Sequence, residues 1–390
     1  VVAGPLFVLF LLTANRSVPY HIDAFSNVLP AWSLATTGSV YLPEHEVLLE
    51  PGHYRNVGWI VPAGDTAVSK YPPGTALVAA PFYAVWPQDA EVLTVRGLNR
   101  PGVPAVDIPV PPFWPASIAA SLSVALAIGF LALSFRGLAT GSIALVAAYI
   151  AGLGTAAWSV AANELWQHGP GMMWIALAGA LAAGHLVASG LAYGMAVVTR
   201  PMNALIAAPV GLYVAWQRRS LRPALEVGAG ALLGLGALIA YNAAVFGEPS
   251  ILGGYEQGFV DNARNLDLVG YVRNVGLALF SPTRGLLIWS PFLIVLLPGL
   301  RAAWRVAPGW VRGGAIGGVL YLLVQYKANR FSGGDGFVTY RYPLEAITAA
   351  APLLLLSYTQ WVADRPHMVR VFRILVYVSI AAHTALAIAR

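Results

Sequence analysis

The chain contains no cysteine, which excludes a disulfide framework, a thiolate metal site and a cysteine nucleophile. Charge is scarce as well: 10% of the 390 residues are Asp, Glu, Lys or Arg, against about 25% in an ordinary soluble domain. No solenoid period is present, and the order of apolar runs shows no two-half symmetry of the transporter kind. The net charge of +6 is scattered over loops rather than gathered in a basic tail. That distribution argues against a nucleic-acid partner and fits membrane orientation and contact with anionic lipid groups. What fills the chain is apolar residues, 58% of the total, in runs of helix length. These proportions describe an all-α polytopic membrane protein.

The first run, 1–14, is free of charge and too short to cross a bilayer, so its helix is expected to continue upstream. It gives way to Asn-Arg-Ser-Val-Pro-Tyr-His-Ile-Asp, ending at Asp23. A long stretch of mixed polarity, 15–115, follows before the next clear span, and a long loop there points to function. Within it, Lys70-Tyr71-Pro72-Pro73-Gly74 opens an apolar piece, 75–86, too short to span and read as an interfacial or re-entrant helix. Spans are expected near 114–135, 143–162, 172–187, 224–246, 286–300, 313–325, 344–361 and 371–389. Between them, 188–217 holds two pieces of about half a membrane thickness on either side of Thr199-Arg200-Pro201, read as a broken-helix pair turning at mid-membrane. The total is about eleven membrane segments, counting this pair.

Arginines at 136, 218, 219, 222, 301, 305, 312, 365, 370 and 373 fall at alternate ends of these spans. The positive-inside rule puts those ends in the cytoplasm, and 15–115, 247–282 and 328–343 on the external side. Lys70, Arg200, Arg284, Lys327, Arg330 and Arg341 break the rule. Taken singly, each is explained by snorkelling or by pairing with a nearby carboxylate. As a set they point to an anionic group such as the phosphate of a membrane-borne substrate, which guanidinium groups bind well.

An ordered series of local patterns runs along nearly the whole chain: the early Asp23, Lys70-Tyr71-Pro72-Pro73-Gly74, Leu165-Trp166-Gln167-His168-Gly169-Pro170, Thr199-Arg200-Pro201, Ala240-Tyr241-Asn242, Phe280-Ser281-Pro282-Thr283-Arg284-Gly285, Gly333-Gly334 and Arg341-Tyr342-Pro343. In this order they resemble the GT-C superfamily of polytopic glycosyltransferases, as a single transmembrane domain over 1–390. The resemblance implies inverting transfer of a sugar from a polyprenyl-phosphate carrier to an acceptor outside the cytoplasm, at the cell membrane. It implies that Asp23 is the general base that takes the acceptor's proton. The leaving lipid phosphate then calls for cations or a metal, with Arg200, Arg284, Arg341 and Lys70 as candidates. His21, Tyr71, Glu164, His168 and Tyr342 stand near these motifs as substrate-binding candidates, although a helix-end contact explains Glu164 and His168 equally well. Two departures bear on the acceptor: His21 stands where many members have a second acid, and tryptophans usual around Gly333-Gly334 are missing.

Richness in Ala, Gly, Val and Arg points to a high-GC bacterium of the actinobacterial kind, where mannosyl and arabinofuranosyl donors and a cell-envelope glycan, lipid or protein acceptor are the expected substrates. No cofactor is required by the motifs. A divalent cation at Asp261, Asp267 and Asp335 is an open alternative, as is plain solvation of these loop carboxylates. Glu44, Glu46 and Asp65 are further acids of the first loop, and Trp166, Trp289 and Trp361 are expected in interfacial or core positions. A transporter or flippase of an anionic or lipid-linked substrate, and a non-catalytic lipid binder, are the other classes compatible with buried charge.

Overall fold

A computed structural model describes residues 2–17, 22–50, 59–85, 89–95, 105–255, 257–334 and 337–389. Helices α1 (Ala3–Thr13) and α2 (Ile22–Thr37) come first, and α3 (Gly74–Val85) follows two short strands, β1 (Ile60–Ala63) and β2 (Thr66–Ser69). Strands β3 (Glu91–Val95) and β4 (Val106–Val110) precede α4 (Trp114–Arg136). Both strand pairs are antiparallel, with Ile60 opposite Ser69 and Glu91 opposite Val110. The segment between α1 and α4 is therefore more than the interfacial helices expected. It folds around its own core, in which Phe25 and Leu29 of α2, Ile60, Ala79 of α3 and Ile108 pack against Ala116 and Ala120 at the start of α4.

The membrane portion continues with α5 (Gly141–Leu153), α6 (His168–Leu181), α7 (Leu186–Thr199), α8 (Ala204–Arg218) and α9 (Arg222–Phe246). Among the described residues three helices, α4, α9 and Pro366–Ile388 near the C-terminus, are long and apolar enough to cross a membrane individually. Helix α4 has Pro115 in its first turn and Arg136 in its last, an arrangement that suits both ends of a helix dipole. Helix α9 ends at Gly247, whose φ of +78° is the left-handed cap that glycine adopts without steric cost. The break between α7 and α8 falls where expected. Arg200 precedes a proline and is extended, at φ −155° and ψ 115°, because the proline ring disfavours the helical conformation in the residue before it. Pro201–Asn203 then makes one 3-10 turn, and Asn203 Nδ2 donates to Ala196 O at 2.9 Å, tying the two short helices together.

The stretch 247–282, expected as a loop, contains α10 (Gln257–Arg264) and α11 (Leu268–Phe280). Helix α11 exposes Leu268, Val269, Val272 and Phe280, and Asp267 caps it by accepting from Gly270 N at 2.8 Å. Its apolar residues are interrupted by Arg273 and Asn274, so no long run signals it. The expected span 286–300 is broken into α12 (Leu286–Trp289), α13 (Phe292–Leu296), a 3-10 turn and α14 (Leu300–Val306). Pro291 and Pro298 each remove a backbone donor there. The chain ends with α15 (Gly309–Ala328), α16 (Leu344–Ser357) and α17 (Pro366–Ile388).

Small residues let these helices approach closely. A Cβ on Gly194 of α7 would stand 2.5 Å from Gly230 O of α9, and one on Gly234 would stand 2.2 Å from Gly194 O. With Gly190 these residues form a glycine crossing of two facing small-xxx-small patterns, the packing that brings membrane helices into backbone contact. Gly313 and Gly317 of α15 meet α8 in the same way, at Val210 and Ile206. Replacing Gly194 by leucine is therefore expected to lower the thermal stability of the detergent-solubilised protein by the equivalent of about 1–3 kcal/mol or more. Gly228→Ala on the same α9, where a Cβ meets nothing within 4 Å, should leave stability unchanged or raise it by up to about 1 kcal/mol. Equal melting shifts for the two variants would reject the close crossing.

Candidate active site

A cavity of about 680 Å³ opens where α2, the residues before α3, the start of α6, the α7–α8 break, the segments 252–255 and 259–262, the end of α15 and the residues before α16 meet. Asp23, Lys70, Tyr71, His168, Arg200, Arg341 and Tyr342 line it, so seven of the residues singled out from the sequence share one wall. Their elements are remote in sequence. Asp23 sits in the first turn of α2, where a carboxylate suits the helix dipole, and accepts from Arg341 Nη1, a residue 318 positions away. Both residues are buried, at 7% and 8% exposure. The Arg341 guanidinium also lies 4.6 Å from the Trp166 ring and 5.2 Å from that of Tyr342.

A second buried carboxylate, Glu345, is fully enclosed and takes Arg200 Nη1 at 3.2 Å and His168 Nδ1 at 2.8 and 2.9 Å. Arg200 Nη2 donates to Gln325 Oε1 at 3.3 Å. Arg200 also lies near the rings of Tyr321 and Tyr342, at 5.8 and 5.6 Å. The cavity thus holds two charge clusters, Asp23 with Arg341 and Glu345 with Arg200 and His168. Lys70 and Arg330 also line the cavity, whereas Arg200 and Arg341 each face a carboxylate. A low-dielectric interior requires such pairing.

Two contacts between motifs hold the wall in place. A Cβ on Gly74 would stand 2.5 Å from Thr199 Cα, so Lys70-Tyr71-Pro72-Pro73-Gly74 lies directly against the residue before Arg200. A Cβ on Gly254 would likewise stand 2.7 Å from Lys70 Cα. Lys70 Nζ sits 5.5 Å from the rings of both Trp59 and Tyr71. Burial, reinforced by the nearby Asp23 carboxylate, pushes the Tyr71 phenol well above its ordinary value, so Tyr71 presents a neutral hydroxyl. Tyr255, pushed up to about 12 chiefly by burial, donates to Gln167 Oε1 at 3.3 Å.

Three further candidates are placed differently. Arg284 lies off the cavity wall: its guanidinium stacks 4.0 Å from Phe337 and Nη2 donates to Gly334 O at 3.0 Å, which makes it a strut for the segment behind Trp166. Glu164 accepts from Asn15 Nδ2 at 3.0 Å and anchors the end of α1, where Asn15 N also donates to Asn163 O. His21 and Asp335 lie outside the described residues. Asp267 is the α11 cap, and among the described residues no group of three His, Asp or Glu side chains comes together as a metal site. Lys327 donates to the backbone oxygens of Asn262 and Asn265, while Arg330 lines the cavity.

Glu345, Gln325, Gln167 and Tyr255 are site residues that sequence reasoning missed. For Glu345 a signal existed, since it is the one carboxylate of an otherwise apolar span, in the first turn of α16. Removing one partner of a buried ion pair costs about 3–5 kcal/mol. Arg341→Met is therefore expected to lower the unfolding midpoint sharply, and adding Asp23→Asn to it should restore part of the loss. Additive losses in the double variant would reject a direct energetic coupling.

Architecture of this kind is found among solved structures. ArnT from Cupriavidus metallidurans in the apo state is 14% identical, with a TM-score of 0.58 over 100% of this chain and 75% of that one. The same protein bound to undecaprenyl phosphate is 16% identical, with a TM-score of 0.52 over 100% of this chain and 70% of that one. An Archaeoglobus fulgidus oligosaccharyltransferase in complex with Zn and sulfate is 13% identical, with a TM-score of 0.55 over 100% of this chain and 52% of that one, about half its length. No protein-family model matches the sequence, and no curated protein does. At these identities it is the architecture that is shared, and the chain has the fold of the GT-C membrane glycosyltransferases.

Proposed function

We propose that this protein transfers a sugar from a polyprenyl-phosphate donor to an acceptor at the external face of the cell membrane. The observation that carries the reading is the meeting of Asp23, Arg341 and Arg200 on one cavity wall, within a fold shared with a protein that binds undecaprenyl phosphate. A carboxylate fixed beside the donor can take the proton of an acceptor hydroxyl, which is otherwise a weak nucleophile. Arg200, Arg341 and Lys70 attract the donor phosphate, and Tyr71, Tyr342, Gln167 and Gln325 offer polar contacts to the sugar. Buried N–H groups on Arg341 (Nε), Gln167 (Nε2) and Gln325 (Nε2) have no acceptor among the described residues, which suits an oxygen-rich ligand. Mannosyl or arabinofuranosyl donors, an inverting course and a cell-envelope glycan, lipid or protein acceptor complete the reading. A divalent cation that assists the leaving phosphate is compatible with it.

The pairing of Arg341 with Asp23 adds a consequence. A phosphate that draws Arg341 toward itself frees Asp23 to act as a base, so donor binding and base activation are coupled. In lipid vesicles with radiolabelled polyprenyl-phosphate mannose or arabinose, Asp23→Asn should retain donor binding and lose product formation by roughly a hundredfold or more. Near-normal turnover by this variant would dismiss Asp23 as the base and turn attention to Glu44, Glu46 or Asp65. Arg200→Ala should weaken donor affinity by about 1.5–3 kcal/mol, the value of a charged hydrogen bond. Unchanged affinity would remove Arg200 from phosphate binding.

A further inference from the structure

Glu345 does not line the cavity; it stands behind the wall, and both of its oxygens take the same ring nitrogen of His168. A carboxylate at 2.8 Å requires a hydrogen on Nδ1, so the 3.2 Å approach of Arg200 Nη1 to that nitrogen is proximity, and the arginine's own bond runs to Glu345 Oε1. Nδ1 being engaged, Nε2 is the nitrogen that His168 offers to the cavity it lines. A carboxylate that fixes an imidazole in this manner sets its orientation and stabilises its protonated form.

Charge balance shows what such a dyad contributes. A polyprenyl-phosphate sugar carries one negative charge as a diester, and its leaving monophosphate would carry two. A second charge is costly in a cavity walled by apolar helices. Arg341 faces Asp23 and Arg200 faces Glu345, while Lys70 and Arg330 are further cations of the lining. These cations offset charge, whereas a protonated His168 can also give up a proton: Glu345 then serves two cations, and the cluster it forms with Arg200 and His168 bears one net positive charge. Other groups facing the ring are Tyr342, at 6.2 Å between centroids, Trp166, at 6.5 Å, and the Arg341 guanidinium.

We propose that His168 is a proton donor to the departing phosphate and that Glu345 is its positioning residue, an assignment that rests on the transferase reading above. The C1–O bond to phosphate breaks, its electron pair goes to the phosphate oxygen, and that oxygen takes the Nε2 proton. The acceptor oxygen bonds to C1 and gives its proton to Asp23. Products are the glycoside, polyprenyl hydrogen phosphate, protonated Asp23 and neutral His168; one proton passing from Asp23 to His168 through water resets the site. Cations or a metal were expected to serve the leaving group, and the carboxylate-held imidazole is what adds a proton donor to them.

The test uses the full chain in lipid vesicles with a polyprenyl-phosphate sugar and a glycan acceptor. His168→Ala should lower kcat roughly a hundredfold while leaving donor KM within a few-fold, and added imidazole should restore turnover severalfold. The same imidazole should do nothing for Asp23→Asn. Glu345→Gln should lower kcat with little change in donor KM, and Glu345→Asp should recover much of it. If His168→Ala does not fold, His168→Gln carries the same expected loss without rescue. Turnover of His168→Ala and His168→Gln near that of the unmodified protein, or no response of His168→Ala to imidazole, would overturn the dyad and leave the transferase reading intact. An inactive unmodified protein would overturn both.

Discussion

A charge buried among apolar helices must have its partner built in, and the arrangement of this protein follows from that constraint. Asp23 with Arg341, and Glu345 with Arg200 and His168, are clusters whose members come from four separate places in the chain. Each is tolerable only when the others are in position. The helices that carry them, α2, α6, the α7–α8 break and α16, are thereby held to a common end of the bundle. The same constraint leaves the cavity lined by charged groups already oriented toward one another.

Glycine makes the pairing geometrically possible. The contact of α7 with α9 through Gly190, Gly194, Gly230 and Gly234 sets where α7 ends, and hence where Arg200 emerges. The proline after Arg200 stops the helix there and leaves Arg200 extended, so that its side chain leaves the helix axis at the height of the cavity. Gly74 then lets the segment between α1 and α4 rest on Thr199. Arg218, at the far end of α8, is separated from this site by the helix length, roughly 22 Å for 15 residues.

Residues that broke a compositional expectation were the useful ones. Lys70, Arg200, Arg330 and Arg341 stood out as positive charges without an orienting role, and all four line the cavity. Arg284 stood out equally and does not line it, because a stacking partner, Phe337, and the Gly334 carbonyl hold it elsewhere. The reading also failed where elements are short. Strands β1 to β4 are of four or five residues, and α12 to α14 are fragments of one expected span, each too brief to leave a periodic signature.

Membrane class, most spans, the break at Arg200 and the early carboxylate were legible in the sequence by itself, because they rest on local properties: hydropathy over a span, the steric rule before a proline, a charge where charge is rare. Which charge meets which was decided only by the tertiary structure. Arg200 pairs with a glutamate 145 residues away and Arg341 with an aspartate 318 residues away. Glu345 passed unremarked among the apolar residues of its helix, and Glu164 turned out to anchor α1. Ion pairing depends on which helices touch, and helix contact depends on small residues opposing one another across the bundle, a relation between distant segments that no single segment contains.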